Sequence, residues 1–124
     1  ARGALIGGNL TLLAADVGVE PAPTVPTILL LEEVNEPPYR IDRLLTQLLR
    51  AGWFAAVSGV ACGDLGLGDD EVLRDRLEPL GIPVLTGLGV GHGSGNLALP
   101  LGADVRLEVA ADRADLRLEG ARRG

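Results

Sequence analysis

Apolar positions along this chain follow two rhythms, one suited to a helix and one to a strand. The helical rhythm is clearest at Ile41, Leu44, Leu45, Leu48 and Leu49, which recur at i, i+3, i+4, i+7 and i+8 and form a single stripe. Arg40, Asp42, Arg43, Gln47 and Arg50 take the other face. Pro37 and Pro38 favour a start just before the stripe and Gly52 suits its end, so a helix is predicted from about Pro38 to Ala51. Ahead of it, Thr27–Leu31 is a continuous apolar run, partly β-branched, as expected of a strand buried on both faces. Ala55–Ala61 reads as a second such strand, ending in a loop over Cys62–Gly68. Asp69 or Asp70 then caps a second helix with Val72, Leu73, Leu77 and Leu80 on its core side. Its acidic first turn suits the helix dipole, Gly81 closes it, and Ile82–Leu85 is a short strand.

The two ends of the chain differ from this centre. At the start, Ala4–Ile6 is an apolar stretch that runs into Gly7-Gly8, and Asn9 suits the N-cap of a short helix over Leu10–Ala15. A proline-marked loop, Glu20–Pro26, follows. At the other end Val105, Leu107 and Val109 alternate with charged residues, as do Leu116 and Leu118, with a polar turn over Ala110–Ala114 between them. That is the pattern of an antiparallel hairpin with one wet face. Strand, helix, strand, helix, strand and then a hairpin define an α/β domain whose small mixed sheet is parallel at its centre and antiparallel at its C-terminal edge.

Composition narrows the possibilities. At 124 residues the chain fits one domain, residues 1–124, and 47% hydrophobic residues suffice for an aliphatic core. The net charge of −6, with arginine in place of every lysine and no basic cluster, argues against a nucleic-acid partner. No apolar run approaches the roughly 18 residues of a membrane span, and no leader pattern points to secretion. Cys62 is the one cysteine, cannot form an internal disulfide, and fits a small core position in a reducing compartment. The chain begins at Ala1 and contains no methionine, which suggests a piece cut from something longer.

Candidate chemistry concentrates in two places. His92 is the only histidine and lies among glycines in Gly87-Leu88-Gly89-Val90-Gly91-His92-Gly93-Ser94-Gly95-Asn96, where it is either a catalytic acid–base on a loop or a surface side chain. The glycines match neither a dinucleotide fingerprint nor a P-loop. Glu32-Glu33-Val34-Asn35-Glu36 follows the first buried strand, the end at which open α/β sheets place their sites. Glu33 and Glu36 also suit the N-terminal dipole of the long helix, whereas Glu32 suits a functional role better. One histidine, one cysteine and scattered carboxylates do not make a metal site. Glutamate and histidine are two members of a nucleophilic triad. Of the two serines, Ser58 falls inside a buried strand, and Ser94 stands in a context unlike a nucleophile elbow. An intact enzyme using Ser94 and a stand-alone binding module both stay open on the residues alone.

Several segments in order resemble the second half of the L,D-carboxypeptidases, the S66 serine peptidases. They are Leu5-Ile6-Gly7-Gly8-Asn9-Leu10, Leu31–Glu36, Tyr39–Leu48, Pro83–Gly87, Gly91-His92 and Leu99–Gly102. The resemblance runs from about Leu5 to Leu118. It implies a swivelling β/β/α domain that supplies Glu32 and His92 to a Ser-Glu-His triad, with the serine in a Gly-Tyr-Ser-Asp turn of an N-terminal domain not represented here. Asn9, Glu36, Tyr39 and Arg43 become candidate supporting side chains. The position after Glu32 is commonly aspartate in the family and is Glu33 in this chain. The family's members are cytoplasmic homodimers that need no cofactor and remove terminal D-alanine from murein tetrapeptides, and a related branch hydrolyses microcin-type peptide–nucleotide conjugates. The missing first domain and a murein peptide are therefore the expected partners, and neither nucleic acid nor membrane is expected.

Overall fold

The computed structural model describes residues 1–33, 36–63, 69–86, 101–109 and 114–119. Their elements are β1 (Arg2–Asn9), α1 (Leu10–Ala15), β2 (Thr27–Glu32), α2 (Pro38–Arg50), β3 (Val57–Cys62), α3 (Asp69–Leu77), a 3-10 turn (Glu78–Leu80), β4 (Val84–Leu85), β5 (Asp104–Val109) and β6 (Ala114–Leu118). One sheet holds the six strands in the order β4-β3-β2-β1-β5-β6. β1 to β4 run parallel, while β5 joins β1 and β6 joins β5 antiparallel. The mixed sheet with a parallel centre and a C-terminal hairpin is the one its sequence predicts.

Alternation along β2 separates two cores. Leu29 and Leu31 face the helices, joining Leu10 of α1, Ile41, Leu45 and Leu48 of α2, and Leu73 and Leu77 of α3. Ile28 and Leu30 face the other way, onto Leu5, Ala61, Val105 and Leu107. The sheet curls, so that β5 lies against β2 and β4 across that second face as well as beside β1. Buried Cys62 belongs to the helix-side core.

α2 stops where its sequence says it should. Trp53 N donates to Leu48 O (3.0 Å) and Gly52 N to Leu49 O (3.2 Å), with Gly52 at φ +81°. This is a Schellman close, which glycine permits because the left-handed conformation there has no Cβ penalty. Trp53 also packs into the same core as Leu48. The turn delays β3 to Val57, two residues after the predicted start.

The stretch before Gly7, to which the sequence assigns no element, is a strand: β1 sits between β2 and β5, with Ala4 to Asn9 opposite Thr27 to Glu32. One expectation needs correction. Leu80, expected in the core, is 36% exposed. Pro79 lacks the N–H that would continue the α-helical ladder, and the tighter 3-10 turn rotates Leu80 off the stripe of Leu73 and Leu77. α3 begins at Asp69, and the side chains of Asp69 and Asp70, expected to cap it, lie outside what is described.

Candidate functional site

The carboxyl ends of β1 and β2 meet side by side, with Asn9 the register partner of Glu32. Gly7 makes the approach possible. Its φ is +132°, and a Cβ there would lie 2.0 Å from the carbonyl oxygen of Leu30. Any side chain would force β1 and β2 apart just before the residues that carry the polar groups.

Asn9 turns the chain from β1 into α1. Its Oδ1 accepts from Leu12 N (3.0 Å), and its Nδ2 donates to Glu33 Oε1 (3.1 Å). These partners fix the amide, because reversing it would oppose donor to donor and acceptor to acceptor. Glu33 Oε2 accepts from Thr11 N (2.9 Å) and from Thr11 Oγ1. Two of the amides that open α1 are thus satisfied, one by Asn9 and one by Glu33, and the carboxylate gains from the positive end of the helix.

Glu33 is therefore a capping group, but for a different helix than its sequence position suggests. Glu33 is 6% exposed, and its carboxylate reaches across to α1, not to α2. Glu36 does serve α2, forming an i,i+4 ion pair with Arg40 (3.2 Å). Pro37 occupies the N-cap of α2 and provides no side-chain cap there.

Glu32 ends β2 and is half-buried. By the alternation of the strand it follows Ile28 and Leu30, onto the face opposite the helices. Adjacent glutamates thus part company at the strand end, Glu33 into the helix layer and Glu32 away from it. The other predicted side chains spread out. Tyr39, in the first turn of α2, is 63% exposed. Arg43 lies one turn further along and lines a shallow α2–α3 groove of about 730 Å³ with Asp42, Thr46, Gln47, Arg50 and Arg76. His92 and Ser94 lie outside the described residues.

Ser58 is placed away from this cluster. Its hydroxyl lies 2.8 Å from Arg2 O and 3.2 Å from Thr27 O, at the amino ends of β1 and β2. Thr27 and Glu32 are the first and last residues of β2, roughly 16 Å apart in an extended strand. Reasoning from sequence missed Thr11 and the true partner of Glu33. The available signal was Asn9-Leu10-Thr11, a helix start needing a second acceptor beside its cap.

Fold and site together define a mixed α/β domain with a candidate catalytic carboxylate at the carboxyl end of its parallel strands. The chain belongs to the LD-carboxypeptidase C-terminal domain family, which matches residues 2–107. It is 44% identical over 126 residues to a candidate carboxypeptidase of Streptomyces coelicolor, covering 96% of this chain and 40% of that protein. With the murein tetrapeptide carboxypeptidase of Pseudomonas aeruginosa the identity is 34%, over 86% of this chain and 38% of that protein. Among solved structures, the muramoyltetrapeptide carboxypeptidase of Oxalobacter formigenes superposes with a TM-score of 0.84 at 32% identity, covering 94% of this chain and 44% of that one. The chain thus spans about 40% of the length of the curated relatives it matches. Among the described residues, no helix is long and apolar enough to cross a membrane.

Proposed function

We propose that this chain forms the C-terminal half of a serine L,D-carboxypeptidase that removes terminal D-alanine from murein tetrapeptides. The observation carrying this reading is the strand-end position of Glu32 in a domain of this family, with Glu33 beside it committed to α1. In the proposed mechanism Glu32 holds His92 in the useful tautomer and stabilises the imidazolium. His92 takes the proton of a serine as that serine attacks the scissile carbonyl, then returns it to the departing D-amino acid. The serine and the donors for the oxyanion come from a preceding domain outside this chain, and the assembly works as a cytoplasmic homodimer. The 124 residues alone then give neither turnover nor labelling by a serine-directed fluorophosphonate.

The test is D-alanine release from a murein tetrapeptide by the full-length protein. Wild type should release it, His92→Ala should abolish release, and Ser94→Ala should leave it nearly unchanged. Full loss in Ser94→Ala with activity kept in His92→Ala would overturn the assignment.

A second reading is favoured by similarity to the Microcin C7 self-immunity protein MccF of Escherichia coli, 32% identical over 94% of this chain. A structure of MccF in complex with glutamyl sulfamoyl guanosine superposes with a TM-score of 0.82. The same Glu32 and His92 would then cleave an aminoacyl sulfamoyl nucleoside. Offering both substrates to the full-length protein separates the two readings.

A further inference from the structure

We infer that Glu33 is a positioning residue for the proposed reaction, acting through Glu32 by clamping the end of β2 to the start of α1. The inference rests on the catalytic reading of Glu32. Three elements meet at the Glu33 carboxylate: Asn9 at the end of β1, Thr11 in the first turn of α1, and the chain leaving β2. The backbone of Glu32 is held laterally, within the sheet, by its pairing with Asn9, and the next side chain is held on the helix face by Asn9 and Thr11. The peptide unit joining Glu32 to Glu33 is thus restrained both within the sheet and from its helix face, and with it the root of the Glu32 side chain. A strand end normally frays, whereas a triad carboxylate must hold its imidazole to within a fraction of an ångström. Displacement of a catalytic group by about 1 Å costs on the order of 100-fold in rate.

Glutamine is a poor replacement because the clamp's donors all converge on a carboxylate. Oε1 faces the Asn9 amide N–H, and Oε2 faces both the N–H and the hydroxyl of Thr11. An amide must turn its own NH2 toward one of these donors. Aspartate keeps both acceptor oxygens on a shorter arm. Thr11→Val removes one donor and keeps the side chain's shape.

The experiment measures kcat and KM of the full-length protein on the murein tetrapeptide. Glu33→Gln should lower kcat roughly 10- to 100-fold with KM nearly unchanged. Glu33→Asp should restore most of the rate, and Thr11→Val should give a smaller fall in kcat in the same direction. A role confined to stability would lower the unfolding midpoint and leave kcat of the folded enzyme at the wild-type value, and that result would overturn the inference. Should Glu33→Gln fail to fold, Thr11→Val decides, with wild-type kcat counting against the clamp. Glu32→Gln is the control. If it keeps the wild-type rate, the catalytic reading itself falls. An inactive Glu32→Gln beside a fully active Glu33→Gln removes the positioning role alone.

Discussion

The two faces of β2 at its carboxyl end carry the same functional group under opposite conditions. On the helix side the Glu33 carboxylate is buried and engaged by Asn9 and Thr11. On the other side Glu32 is half-buried and follows an apolar wall of Ile28 and Leu30 that β5 covers. One residue of sequence separates them, and the period-2 geometry of a strand sends them to different environments. A buried carboxylate satisfied by backbone and side-chain donors is suited to holding structure. Glu32, half-buried at the strand end, is the one the proposed function assigns to His92.

The comparison breaks first if the sheet beneath it moves. Gly7→Ala should have the largest effect, because its Cβ would collide with the Leu30 carbonyl in a conformation L-residues rarely adopt. We expect a loss of at least about 3 kcal/mol, read from the denaturant midpoint. Gly8→Ala is the matched control. Its φ is +143° but a Cβ there meets open space, so only the conformational cost, about 1–2 kcal/mol, should appear. Equal losses at both positions would show that the close approach of β1 to β2 is not limiting.

Next in size is the helix-side core. Leu45 is fully buried, and Leu45→Ala should cost about 2–5 kcal/mol by the same measurement. Asn9→Ala removes the cap of α1 and should cost about 1 kcal/mol. It also removes one donor to Glu33, so a double-mutant cycle with Glu33→Gln should show non-additivity. Strict additivity would separate the cap from the clamp.

The smallest effect should come from the Asp42–Arg76 pair, which joins α2 to α3. The hydrogen bond from Arg76 holds the Asp42 carboxyl below its usual value of 3.8. A depressed carboxylate contributes stability above its unfolded pKa and loses it as pH falls through the folded one. Both side chains are more than a third exposed, 37% and 43%, so solvent screening should leave only a small gain at neutral pH. Asp42→Asn should therefore differ slightly from wild type at pH 7 and match it well below pH 3.8. A difference that persists in acid would assign the effect to packing.

Much of the fold was legible because its signals are local. The α2 stripe, the Gly52 close and the alternation of β5 and β6 each depend on neighbours within a few residues. β1 was not legible, since the short apolar stretch running into two glycines was assigned no element, and Gly7 is needed for a contact with β2 some 20 residues away. Leu80 was misread because one proline changed the helical pitch beneath it. At the site, Glu32 and Glu33 could be found as a pair, but which of them caps a helix, and which helix, depends on the pairing of Asn9 with the end of β2. Long-range register of that kind leaves no local trace.

Glu32, not its neighbour, is the acid proposed to serve His92. The most direct test of that role is the rate of D-alanine release by full-length Glu32→Gln at saturating murein tetrapeptide, with folding verified by an unchanged unfolding midpoint. An amide in place of a triad carboxylate favours the wrong imidazole tautomer, and kcat should fall on the order of 10³- to 10⁴-fold. A rate within about twofold of wild type would contradict the account.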